Sequence, residues 1–249
     1  LDFIVRRIYI EEATTVSLSP SPSPSPSSQR IERLLIDDFS LGAGNQIIEI
    51  TLSSTLSESD PPISDTNSLS LPGCGSGLLG CGRDMQLEVY TGFANRSFDS
   101  SIFDSSVPAF PQFVGEWAVE NPKTSNSEAI LQYDGTDNSF DLDINGLGGI
   151  DITDGGLATH LVFILNSDLS GIFTVELYDT LGGLCTEDVS YSRTVDDYDL
   201  EDLKYRISLN QFIGCNKQSI GAIQVIVPSA NSLDFIVRRI YIEEATTVS

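Results

Sequence analysis

The chain is poor in the residues on which catalysis and metal capture usually rest, with one histidine, one methionine and one tryptophan among 249 residues. A solitary His160, at the head of the apolar run HLVFIL, leaves no second imidazole for a zinc site, and there is no C-x-x-C knuckle to replace it. No G-x-S-x-G, H-E-x-x-H or P-loop pattern occurs, so nucleophile, zincin and nucleotide chemistry have no sequence support. Carboxylate pairs of the kind that hydrolyse glycosides can be assembled from so many acids that they select nothing. The expectation is therefore a protein that is not an enzyme and needs no cofactor. Positive charge is also scarce: 13 Lys and Arg face 36 Asp and Glu, a formal net charge of −23. That field repels phosphates and anionic lipid, which argues against nucleic acid and membrane partners, while it attracts cations. No apolar run approaches bilayer-spanning length. No signal peptide is visible, and the opening lies inside a strand-like segment, which reads as mature or internal sequence.

What the chain does have is a perfect internal copy. Residues 1–17 read LDFIVRRIYIEEATTVS and residues 233–249 read the same. The identity extends to polar positions such as Arg6, Glu11 and Thr14, which a shared strand pattern alone would not preserve. One period of a tandem array plus the start of the next accounts for it, each repeat being a whole domain. An engineered or permuted arrangement is the alternative. Residues 1–17 then belong to, or are donated to, the neighbouring repeat, with Phe3, Val5, Ile8 and Ile10 as the apolar side chains inserted in its sheet. Such joints build head-to-tail assemblies of identical copies.

Between the first copy and the body of the chain, residues 18–30 are a Ser-Pro linker in which Ser19, Pro20, Ser21, Pro22, Ser23, Pro24, Ser25, Pro26 and Ser27 alternate. Proline at every second position forbids helix and ladder pairing and favours polyproline II. Eleven such residues span about 34 Å as a stiff spacer. Ser/Thr/Pro tracts are also the composition of O-glycosylated stalks.

From Ile31 onward, the fold class is all-β. Short runs rich in Val, Ile, Phe and Tyr, punctuated by Gly, Asn, Asp and Pro, mark strands at Ile31–Phe39, Gln46–Leu52, Met85–Thr91, Gly115–Glu120, Ala129–Tyr133, Ser139–Asn145, His160–Asn166, Gly171–Tyr178, Lys204–Leu209, Ile220–Val227 and Leu233–Glu243. SFDLDIN alternates most regularly. In the last run the apolar parity shifts from Phe235 and Val237 to Ile240 and Ile242, so a bulge at Arg238–Arg239 is expected to keep one face inward. Trp117 in GEWAVE could stack on a sugar, but a lone strand tryptophan is more often core.

Four cysteines, a single methionine and one histidine fit an oxidised, extracellular setting. Cys74 and Cys81 flank a glycine-rich stretch suited to a short disulfide loop, leaving Cys185 with Cys215; four cysteines allow three pairings and the sequence does not choose among them. Asn95-Arg96-Ser97 is an N-glycosylation sequon in a polar loop after a strand. Asp141-x-Asp143-x-Asn145-Gly146 matches the start of a calcium loop, although Ile152 stands where the twelfth-position Glu is expected; a solvated strand face explains the same residues. The acids Asp196, Asp197, Asp199, Glu201 and Asp202 read as a solvated loop.

An IDDF opening strand and the LDFIVRRIYIEE closing strand resemble those of carbohydrate-binding-type jelly rolls, and the Ser-Pro tract resembles the modules of algal and plant cell-wall glycoproteins, whose prolines are hydroxylated and carry sugar. The resemblance implies a jelly-roll-like, two-sheet antiparallel sandwich over residues 31–249 that binds ligands or builds structure. It carries over no binding residue, since no aromatic platform matches. Two functions follow: a structural repeat of an extracellular, glycosylated fibre, or a carbohydrate-binding module of a larger secreted protein.

Overall fold

In the computed structural model, residues 30–40, 46–71, 78–103, 115–193, 203–230 and 233–245 are described. Their alternating apolar residues form strands β1 (Arg30–Asp37), β2 (Gln46–Thr51), β3 (Ile63–Ser70), β4 (Gly82–Thr91), β5 (Ser97–Phe103), β6 (Glu116–Glu120), β7 (Asn126–Tyr133), β8 (Ala158–Ser167), β9 (Gly171–Asp179), β10 (Leu184–Tyr191), β11 (Leu203–Ser208), β12 (Ile220–Ala230) and β13 (Asp234–Ala245). They pair into two antiparallel sheets. Sheet I has the order β11-β8-β13-β6-β5-β2, with β1 also on β13; sheet II has the order β10-β9-β12-β7-β4-β3. Consecutive strands repeatedly fall in opposite sheets, giving an all-β, jelly-roll-like sandwich.

The closing strand behaves as its sequence pattern predicts. β13 lies against β8 along its length, with β6 beside its first half and β1 beside its second. Its ladder with β8 slips between Val237 and Arg239. That bulge returns Ile240 and Ile242 to the interior, where they lie with Phe235 and Val237, all at most 1% exposed. Burial of each such side chain is worth about 1.5–3 kcal/mol. Trp117 is also core: it packs edge-on to Phe235 at 6.3 Å, and its indole N–H donates to Ser100 Oγ at 3.1 Å.

One polar network crosses this core. Asp37 from β1 and Gln46 from β2 meet Arg83 from β4 and Tyr133 from β7, all nearly or fully buried. Arg83 donates to Asp37 Oδ2 at 2.7 Å and to Gln46 Oε1 at 2.8 Å. The Tyr133 hydroxyl donates to the same Asp37 oxygen, and the Phe39 N–H to the other. The two sheets are thus joined by a pair whose hydrogen-bonding needs are met inside the protein.

Two expectations change. Ser139–Asn145 is not a strand but a series of bends and turns. Ser139 and Asp143 turn their side chains onto the backbone, Ser139 Oγ accepting from Asp141 N–H and Asp143 Oδ1 from Asn145 N–H; such local bonds compete with ladder pairing. Strands β3, β5 and β10, absent from the sequence reading, are present. β3 and β10 are the edges of sheet II, where a half-buried polar strand such as ISDTNSLS needs little apolar content.

Cys185 of β10 is bonded to Cys215 in the loop before β12, so it staples a strand to a loop rather than two strands. Cys81 is also disulfide-bonded, while Cys74 lies outside the described residues. So do Phe3, Val5, Ile8 and Ile10, the Ser-Pro tract and the 196–202 acids. No described helix is long and apolar enough to cross a membrane.

Candidate functional site

The outward face of sheet I carries a row of acids that strand alternation and register bring together. With Phe98, Trp117, Val119 and Phe235 turned inward, Asp99, Glu120 and Asp234 must face out, because side chains alternate along a strand. Pairing sets Glu49 opposite Asp99, Asp99 opposite Glu120, and Glu120 opposite Asp234. Four carboxylates therefore run in register across β2, β5, β6 and β13. Asp168 extends the row, accepting from Asp234 N–H at 2.8 Å.

Together with Ser97, Ser101, Ala118 and Ile236 the four carboxylates Glu49, Asp99, Glu120 and Asp234 line a cleft of about 340 Å³. A second hollow of about 370 Å³ shares Ser97, Glu120 and Asp234 with it and continues to Asn121, Pro122 and Asp168. Like charges directly opposite on neighbouring strands are destabilising. Elsewhere on sheet I the acids are neutralised: Glu116 by Arg238 at 3.1 Å, and Glu243 by Arg206 at 3.0 Å and by Lys204. Among the described residues, none of the four row carboxylates has such a partner. Partial burial, and then the neighbouring carboxylates, hold Asp99, Glu120 and Asp234 above the usual carboxylate range. Such a row offers acceptors along an open groove and suits ligands rich in hydrogen-bond donors.

A second acidic group lies on the opposite face of the molecule. Asp84 of β4 and Asp134, just past β7, are 1% and 0% exposed, and with exposed Asp137 they bring ligand oxygens within 4.8 Å of one another. The cover is the loop from Gly135 to Gly149. It approaches so closely that a Cβ on Gly82 would lie 1.5 Å from the Gly135 carbonyl oxygen, and one on Gly221 1.6 Å from that of Ile144. Both positions need glycine for this contact. Gln132 Nε2 and the Asp143 N–H donate to Asp134 Oδ2, each at 2.8 Å. Burial first, and then the neighbouring aspartates, push the Asp84 carboxyl up to about 7 despite a hydrogen bond from Ser68.

The sequence-derived candidates fall around these sites rather than in them. Asp141, Asp143 and Asn145 are exposed on the covering loop, and Asp143 touches the acidic group through its backbone. Among the described residues the three carboxylates close enough to share an ion are Asp84, Asp134 and Asp137. Asn95 is exposed in a turn between β4 and β5, with φ of 62°, a conformation asparagine tolerates. His160 is partly buried beside the Thr159 hydroxyl, away from both acidic groups in sequence and sheet position. The carboxylate row was missed because its members stand in four separate segments. Each looks like an ordinary outward-facing strand residue until the register is known.

No family model matches the chain, and no curated protein matches it. Among solved structures it is similar to the family 11 carbohydrate-binding module of a cellulosomal cellulase of Clostridium thermocellum, at 8% identity and TM-score 0.38 over 89% of this chain and 96% of that one. It is also similar to a family 29 carbohydrate-binding module complexed with mannohexaose, at 10% identity and TM-score 0.33 over 73% of this chain and 92% of that one. At these identities neither lends a residue role to this chain.

Proposed function

We propose that the chain is a glycan-binding β-sandwich of a secreted protein, that it binds without hydrolysing, and that the carboxylate groove of sheet I is its site. The in-register row Glu49–Asp99–Glu120–Asp234 carries this reading. Each carboxylate accepts from sugar hydroxyls in charge-assisted bonds, while Ala118 and Ile236 offer apolar surface to the C–H faces of a ring. The large aromatics nearby, Trp117 and Phe235, are buried, so recognition rests on hydrogen bonding rather than stacking. A row without cations, on a chain of net charge −23, disfavours sulfated and uronic polymers and leaves neutral or amine-bearing glycans. The Cys185–Cys215 bond fits an oxidising, extracellular location.

The test is affinity electrophoresis and calorimetry against soluble neutral and amine-bearing polysaccharides. Retention by at least one, lost in Asp99→Asn and Glu120→Gln at unchanged melting temperature, supports the reading. Retention by none, or variants that bind like the parent, overturns it. Release of reducing ends on incubation overturns the non-catalytic part.

A second reading, a glycosylated structural repeat of an extracellular fibre, is favoured by one observation: residues 1–17 duplicate the segment that forms central strand β13. A copy of that strand has the pattern to fill the same slot in a neighbouring module. Under this reading Asn95 and the Ser-Pro tract carry the covalent glycans. Deleting residues 1–17 should leave a folded domain that no longer forms filaments by negative-stain microscopy; filaments of unchanged length refute the joint.

A further inference from the structure

We propose that Asp84, Asp134 and Asp137 form a calcium site roofed by the loop from Gly135 to Gly149. Two of the three carboxylates are almost completely removed from solvent, at 1% and 0% exposure. Asp84 Oδ2 and Asp134 Oδ1 each lack a donor from any other group, and the two carboxyls stand within hydrogen-bonding reach of one another. A buried carboxylate oxygen without donor or cation is rare in a folded protein, because the charge loses its hydration and gains nothing in return. Here two occur in one cluster, beside a third acid of the same sign.

Among the described residues, no cationic side chain pairs with Asp84, Asp134 or Asp137. Arg83 is next in sequence to Asp84, but strand alternation turns it inward, where it is engaged by Asp37 and Gln46. Asp134, by contrast, is held in place: the Gln132 amide and the Asp143 N–H both bond its Oδ2, leaving Oδ1 for something else. The cluster therefore has an oriented acceptor set and an unmet need for positive charge.

The Asp84, Asp134 and Asp137 ligand atoms lie within 4.8 Å of one another, close enough to share one ion. The donor chemistry selects it: three carboxylates on one ion suit calcium, which accepts cages built of protein oxygens, whereas magnesium keeps several waters and usually binds through one or two carboxylates. The all-oxygen donor set excludes a preference for zinc or copper. Because the loop contributes Asp137 and covers the other two, the bound ion would tie it to sheet II. That fastening lies far along the chain from either copy of the repeated segment, and is independent of glycan binding at sheet I.

The experiment is a thermal melt of chelator-stripped protein with added calcium or magnesium, paired with terbium luminescence to detect occupancy directly. Millimolar calcium should raise the melting temperature by several degrees, and magnesium should do so far less. Asp84→Asn and Asp134→Asn should abolish both the shift and the terbium signal, while Asp141→Asn, an exposed acid of the same loop, should keep them. If either buried variant fails to fold, Asp137→Asn decides: it should raise the calcium midpoint at least tenfold. A melting temperature indifferent to calcium, including one that varies only with pH as for two acids sharing a proton, overturns the proposal. So does a calcium effect that survives in Asp84→Asn and Asp137→Asn.

Discussion

Arg83 and Asp84 are neighbours on one strand and face opposite sides of sheet II. On the inner side, the buried Asp37 carboxylate finds Arg83, Tyr133 and the Phe39 N–H, and its charge is compensated within the protein. On the outer side, Asp84 and Asp134 are equally hidden but each keeps an oxygen without a donor from any other group. The comparison shows that burial alone does not give a carboxylate its role. Where the fold supplies a cation the acid becomes structural cement, and where it withholds one the acid is left able to take a ligand. The exposed row on sheet I is the third case, in which water meets the need until a ligand displaces it.

The largest expected effect breaks the inner arrangement. Arg83→Met leaves Asp37 buried without its counter-charge and should cost about 3–5 kcal/mol in denaturant unfolding. If it costs under 1 kcal/mol, the network contributes little. The outer pair should respond with the opposite sign: in chelator at neutral pH, Asp84→Asn should stabilise by at least about 1.4 kcal/mol, the worth of one pH unit of carboxyl shift. A loss of stability instead would show that the Asp84 charge is already compensated.

The exposed row gives the smallest change in stability, separable by pH. The Asp99, Glu120 and Asp234 carboxyls are held above their ordinary values of 3.8, 4.5 and 3.8. Between the ordinary and raised values the folded protein keeps protons that the unfolded chain has released, so these groups make stability fall as pH rises through that window. Asp60, Asp151 and Asp179, held low by hydrogen bonds, act in the other direction. The measurement is therefore the difference between parent and Glu120→Gln across pH 4 to 7, with the variant less sensitive and altered by no more than about 0.5 kcal/mol at neutral pH. An identical pH profile would mean the row does not couple.

The sandwich was legible in the sequence wherever a strand buries one whole face. LDFIVRRIYIEE gave its parity change away, and the bulge stands at the predicted arginines. SFDLDIN misled because its alternation is real but its serine and aspartate side chains bond their own backbone. The polar sites were not legible for a geometric reason. Glu49, Asp99, Glu120 and Asp234 become a row only through three registers between distant segments. Asp84 and Asp134 become a pair only when β4 and β7 align and a loop closes over glycines. The nearest sequence signal, Asp141-x-Asp143-x-Asn145, marked the cover and not the ligands.

The position of β13 bears on how the molecule is made. Until that strand leaves the ribosome, no strand ladder links β8 and β11 on one side to β6, β5 and β2 on the other. Residues 1–17 emerge first and carry the same side chains, so affinity alone does not tell the nascent chain which twin belongs in the gap. The tether does: β12 ends at Ala230 and β13 begins at Asp234, a span whose closure costs far less entropy than bringing back residues 1–17 from across the rest of the chain.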